Sequence, residues 1–251
     1  MTFPYGMREN PFPAHPVADL KLAKLIAGRR WEEAKAGIVR ALETCRSGEF
    51  VLVTVVGPVG TGKSHLLMHL KNLADSGELE GISYHYEDLS QVGGARSLGK
   101  ILASLISETL ERFHERFREF FLDRLIEAAE RGLKTARKGL GLSAWERLLG
   151  KTYLEAKREI LAGGRDLRPE AFCFLEREFN LPREFLAKVW YGRDLPASEN
   201  LSYNVETLMD LSKLMRRMGI AAALALDEPS LSEAQRFAYE LKGLINAKIP
   251  C

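Results

Sequence analysis

The sequence predicts an α/β fold: a parallel sheet sandwiched by helices and interrupted by a large all-helical insertion. Three observations carry that expectation. An apolar, valine-rich run, Phe50–Val56, breaks into a glycine-rich octet and then an amphipathic helix. A second apolar run, Ile220–Leu226, ends in two acids, Asp227 and Glu228. Between them, from Ser97 to Gly219, the apolar residues recur at helical spacings and no segment reads as a strand.

The elements follow in chain order. Residues 1–16 contain Pro4, Pro11, Pro13 and Pro16, which exclude a helix or central strand and leave an extended arm. Residues 17–47 read as helical, with Leu20, Leu22, Leu25 and Ile26 before a break at Gly28, and Trp31, Ala34, Ile38 and Leu42 after it. Phe50–Val56, bounded by Gly48 and Gly57, has the continuous apolar character of a strand buried on both faces. A helix is expected from Lys63, with Leu66, Leu67, Leu70 and Leu73 inward. Ile82–Tyr86 is a short second strand.

Amphipathic stretches then run on, punctuated by Gly163-Gly164, Pro169, Pro182 and Pro196. A helix over Leu208–Gly219 leads into the strand Ile220–Leu226, and a last helix spans Ser232 to Ala247. The expected organisation is an arm at 1–16, a core of 17–96 with 205–251, and a helical insertion at 97–204.

Composition narrows the function classes. The chain has 251 residues, 46% apolar and 28% charged, enough for one core and an appended subdomain. A net charge of +2 supplies no global field that would by itself announce nucleic acid. Three separated cysteines, Cys45, Cys173 and Cys251, exclude a disulfide framework and a CxxC metal site. His65 and His69 stand four apart on one helix, but no third ligand accompanies them. Neither a signal peptide nor an apolar run of membrane-spanning length is present, so the expected location is the cytoplasm.

The octet Gly57-Pro58-Val59-Gly60-Thr61-Gly62-Lys63-Ser64 fits G-x-x-x-x-G-K-[ST], between an expected strand and an expected helix. Glycines let such a loop adopt positive φ and turn backbone N–H groups toward phosphate oxygens. The helix beginning at Lys63 directs its positive end at the same anion. Lys63 is expected to reach the β- and γ-phosphates, with Ser64 as a Mg²⁺ ligand and His65 next in the binding segment. Asp227, ending an apolar strand, is expected to hold the metal through water. Glu228 would orient and deprotonate the attacking water.

The Asp-Glu pair resembles the branch of P-loop proteins with an additional catalytic glutamate, which implies ATP hydrolysis and sets it apart from the small GTPases. Ile26-Ala27-Gly28-Arg29 before the strand and loop, with the arm Glu9-Asn10-Pro11-Phe12, resembles AAA+ ATPases of the origin-recognition and related classes. That resemblance covers 9–96 and 205–251, and implies that Gly28 and Arg29 pack against the adenine. The length of the insertion and the element Trp190-Tyr191-Gly192-Arg193 resemble the P-loop ATPases of BREX-type phage-exclusion systems.

The implied function is an ATP-binding and ATP-hydrolysing switch or motor acting on nucleic acid, in defence or replication initiation, with DNA and further copies of itself as partners. Two alternatives stay open: a signalling ATPase that oligomerises without DNA contact, and a nucleotide-binding scaffold that does not hydrolyse.

The chain departs from the AAA+ pattern at its end. The sheet order of that branch, 5-1-4-3-2, places a fourth strand between the loop strand and the Asp-Glu strand. That strand, the sensor, the arginine finger and the lid are expected beyond Cys251, leaving an apolar slot beside Val53 and Ala223. In the insertion, Arg131, Lys134, Arg137 and Lys138 share a helix face, and Arg112, Arg116 and Arg118 interleave with Phe113, Phe117, Phe120 and Phe121. They make either a nucleic-acid or partner surface, or a solvated face over the insertion's own aromatic core. Cys173, between Phe172 and Phe174, is expected to be buried and inert.

Overall fold

The computed structural model describes residues 28–48, 51–58, 60–89, 97–142, 150–192, 200–227, 235–237 and 239–240. The chain divides into two compact units. One draws on residues up to Leu105 and from Met215 onward; the other is Ile106–Leu214, beside the 97–204 expected for the insertion. No helix among the described residues is long and apolar enough to cross a membrane.

The first unit is built on helices α1 (Arg29–Arg46) and α2 (Lys63–Asp75) and strands β1 (Ile82–Asp88) and β2 (Ala221–Asp227). α1 starts where Gly28 takes φ +104°, a conformation that favours glycine, and buries Ile38 and Leu42. α2 starts at Lys63, as the octet predicts, and buries Leu66, Leu70, Leu73 and Ala74. β1 and β2 pair in parallel, with Ile82 opposite Ala221 and Asp88 opposite Asp227. Alternation along the pleat puts Ile82, Tyr84, Tyr86 and Asp88 on one face with Ala221, Ala223, Ala225 and Asp227. The apolar members of that face pack with α1 and α2 in a single core. Small alanines on β2 let the helices approach closely, and the larger tyrosines of β1 fill beside them. The opposite face of β1 is buried too, and polar: Ser83, His85 and Glu87, with His85 Nε2 and Glu87 Oε2 3.4 Å apart.

The strand expected at Phe50–Val56 is not found. Residues 51–58 form no strand, and among the described residues the sheet has only β1 and β2. Leu52 is 74% exposed, Val53 45% and Val56 86%; among the described residues of this run Val55 packs on the α1/α2 core. An apolar run makes a strand only when a neighbour satisfies its backbone groups, and no described segment pairs with this one. The slot expected beside Val53 and Ala223 presupposes that strand and is not found either: Val53 lies outside the sheet, and Ala223 is half-buried against the α1/α2 core. Residues 1–27, Phe50 and most of the helix expected over Ser232–Ala247 lie outside the described residues; 235–237 and 239–240 are helical.

The regular elements among the described residues of the second unit are helices. α3 (Leu98–Glu130) continues into it, followed by α4 (Lys134–Gly139), α5 (Tyr153–Leu161), α6 (Pro169–Phe179) and α7 (Arg183–Tyr191). α8 (Leu201–Arg217) then leads back to β2. Thr152 caps α5 in a reciprocal box with Glu155, whose carboxyl is held below its ordinary range chiefly by the backbone N–H of Thr152. Gly139 on α4 lies so close to α6 that a Cβ there would come within 2.5 Å of the Ala171 backbone, so this helix pair requires glycine.

Phe113, Phe117 and Phe121 are buried, and Phe120 stacks on Phe179 at 5.6 Å. The phenylalanines are therefore the insertion's own core. On its basic face Arg131 pairs with Glu127 and Arg137 donates to the Ala129 carbonyl at 2.8 Å, while Lys134 and Lys138 are exposed. Trp190 is buried beneath Arg118, whose guanidinium lies 4.9 Å from the ring centroid while donating to the Ile160 carbonyl at 3.0 Å. The Trp190-Tyr191-Gly192 element is thus a packing element, with Arg193 outside the described residues. Cys173 is half-buried rather than buried, because Phe172 and Leu175 take the inward positions of α6.

Candidate functional site

The Gly57–Ser64 loop ends at the N-terminus of α2, and its local structure follows from its residue types. Gly60 (φ +77°) and Gly62 (φ +86°) occupy the left-handed region, where a Cβ is strained. Gly57 is needed for space: a Cβ there would stand 3.1 Å from Thr61 Oγ1. Thr61 donates its hydroxyl to the Pro58 carbonyl at 2.8 Å, closing the turn. Lys63 Nζ reaches back across the loop, donating to the Gly57 carbonyl at 3.0 Å and the Pro58 carbonyl at 2.9 Å. The ammonium is thereby held over the loop it belongs to.

Gly62 is the N-cap of α2 and brings no capping side chain, and the first turn carries no acid. The positive end of the helix is therefore left without a carboxylate of its own, which suits an anion arriving from outside. Ser64 and His65 follow on the first turn, both half-buried. Val59 lies outside the described residues.

Gly28 and Arg29 open α1. Gly28 accepts from the Trp31 and Glu32 backbone N–H groups. The Arg29 side chain is 92% exposed and ion-pairs with Glu33 at 2.9 Å. Trp31, the third residue of α1, reaches the loop instead: its ring lies 3.8 Å from where a Gly62 Cβ would stand. The start of α1 and the loop are thus in contact through an indole that the motif does not specify.

Asp227 ends β2 on the face that carries α2, and is only 5% exposed. Tyr86 donates its hydroxyl to Asp227 Oδ2 at 2.7 Å. Burial first, and the negative charge of Asp227 second, push the Tyr84 phenol above its ordinary value of 10.0. The fold therefore holds Tyr84 neutral. Because the folded value is the raised one, this contribution to stability is complete below about pH 10 and is lost as pH rises through the folded value. Tyr84→Phe is expected to flatten the alkaline fall in stability, read as the urea midpoint between pH 9 and about pH 11. An unchanged slope would remove Tyr84 from that dependence.

Glu228 lies outside the described residues. Among the described residues no three His, Cys, Asp or Glu side chains group as a metal cage, and His69 is buried within the α2 core. Ser64, on the first turn of α2, and Asp227, the last residue of β2, each carry a hard oxygen donor. Oxygen donors are the type Mg²⁺ takes, one or two from protein and the rest from water and substrate phosphates. No family model, no curated protein and no solved structure matches the chain.

Two site residues escape the sequence reading, Trp31 and Tyr86. In the sequence both look like ordinary core aromatics. A period-two reading of Ile82–Asp88 puts Tyr86 on the same face as Asp88, but only the parallel register carries its hydroxyl to Asp227.

Proposed function

We propose that this protein binds ATP with Mg²⁺ and hydrolyses it, in the manner of an AAA+-like P-loop ATPase working as a nucleotide-driven switch or motor on nucleic acid. The observation that supports it best is the Lys63 ammonium folded across a loop of two left-handed glycines at an uncapped helix start. The loop amides and the helix end receive phosphate oxygens, and Lys63 exchanges its two carbonyl partners for the β- and γ-phosphates. Ser64 and Asp227 hold Mg²⁺, which neutralises charge on the phosphates. Glu228 takes a proton from the attacking water. The parallel neighbours β1 and β2 accord with strands two and three of the 5-1-4-3-2 order.

Nucleic acid as the object of the motor is carried by the resemblance of 9–96 and 205–251, not by the insertion, where Arg131 and Arg137 already have protein partners. The test is calorimetric. ATP titrated in the presence of Mg²⁺ is expected to bind at one site per chain, and more weakly in EDTA. Absence of binding in both conditions would remove the proposal.

A further inference from the structure

We propose that Tyr86 is a positioning residue: its hydroxyl orients the Asp227 carboxylate and so sets how strongly Mg²⁺ couples to nucleotide binding. The inference rests on the nucleotide reading above and adds to it a residue that the motifs do not contain.

It starts from the cost of Asp227 itself. A carboxylate this deeply buried loses hydration and requires compensating donors, a cation, or both. The Tyr86 hydroxyl is such a donor at 2.7 Å, a hydrogen bond to a group that is charged when ionised and hence among the stronger kinds.

The parallel register explains why this donor arrives there. Tyr86 stands opposite Ala225, and Asp227 is two residues further along the same face, so the phenol leans along the strand to its diagonal neighbour. Ala225 has no bulk to stand in its way. The ring is held in the α1/α2 core, which gives the hydroxyl a fixed origin. The bond engages Oδ2 and thereby restricts rotation of the carboxyl group. A second acid, Asp88, faces Asp227 across the ladder. Tyr84, on the same face, senses the Asp227 charge without bonding to it and serves as an internal control.

The experiment measures ATP affinity with Mg²⁺ and with EDTA, for the wild type, Tyr86→Phe and Tyr84→Phe, and takes the ratio of the two affinities as the Mg²⁺ coupling. For Tyr86→Phe the coupling is expected to fall about tenfold, the size set by one hydrogen bond to a charged group, with the EDTA affinity held within about twofold. Tyr84→Phe is expected to keep the wild-type coupling.

A purely structural role for Tyr86 would move both affinities together or lower the melting temperature alone, and either result would overturn the proposal. Equal loss of coupling in Tyr84→Phe would also overturn it, because the effect would then belong to the aromatic layer and not to the hydroxyl. A wild type that binds nucleotide with undiminished coupling in Tyr86→Phe refutes the Tyr86 assignment alone. A wild type that binds no nucleotide refutes the reading beneath it.

Discussion

Replacing Lys63 with alanine is expected to weaken MgATP binding at least about a hundredfold while leaving the fold intact. The wild-type ammonium makes two hydrogen bonds to the Gly57 and Pro58 carbonyls, so it is already positioned at the loop before any ligand arrives. On binding it trades neutral carbonyl acceptors for charged phosphate oxygens. Each bond of that kind contributes about 1.5–3 kcal/mol, and a hundredfold in affinity corresponds to about 2.7 kcal/mol. The loss therefore needs no more than one or two such bonds. The fold should tolerate the change because α2 is anchored further along by Leu66, Leu70 and Leu73 in the core. Lys63→Arg is expected to recover little, since a planar fork does not fit a site shaped for a compact ammonium. Calorimetry checks both variants, with thermal melts confirming that they fold. Equal affinity in wild type and Lys63→Ala would place phosphate recognition elsewhere.

Glu228→Gln is expected to separate binding from turnover. Removing a general base costs about 100-fold or more in rate, while glutamine keeps the size and most of the hydrogen bonding of glutamate. Asp227 is untouched and keeps its bond to Tyr86. Phosphate release measured under single-turnover conditions should therefore fall by that factor, with MgATP affinity within about threefold of wild type. Normal turnover in the glutamine variant would assign the base to another residue, and the first to examine is Asp88, opposite Asp227 in the ladder.

The parts of this molecule that were legible in the sequence are those whose signal is local. α2 begins at Lys63 because Gly62 stops the preceding backbone in a left-handed turn, and the octet announces that turn. β1 and β2 lie within two residues of expectation. β1 runs on to Asp88 past the expected end at Tyr86, because pairing with Leu226 and Asp227 continues the ladder through residues whose polarity suggests a loop. The aromatic core of the second unit was legible as one of two readings for the same reason: helical spacing of phenylalanines reports an inward face.

What was not legible depends on partners distant in sequence. Phe50–Val56 has strand composition, but hydrophobic periodicity records a tendency to be buried and not the presence of a neighbour. With no described strand beside it, Leu52, Val53 and Val56 face outward. The site divides along the same line. Lys63 and Asp227 are announced by motif and strand end. Trp31 against Gly62 and Tyr86 against Asp227 span 31 and 141 positions of sequence, and only folding joins them.

The most direct measurement of the central claim is the mapping of backbone amide chemical shifts in the isotope-labelled protein as a magnesium complex of a non-hydrolysable ATP analogue is added. The largest changes are predicted at Gly60, Gly62, Lys63 and Ser64, with a second group at Tyr86 and Asp227. Changes confined to the helical unit, for example around Phe172, Arg183 and Tyr191 where a groove opens between α6 and α7, would contradict the account, as would no change at all.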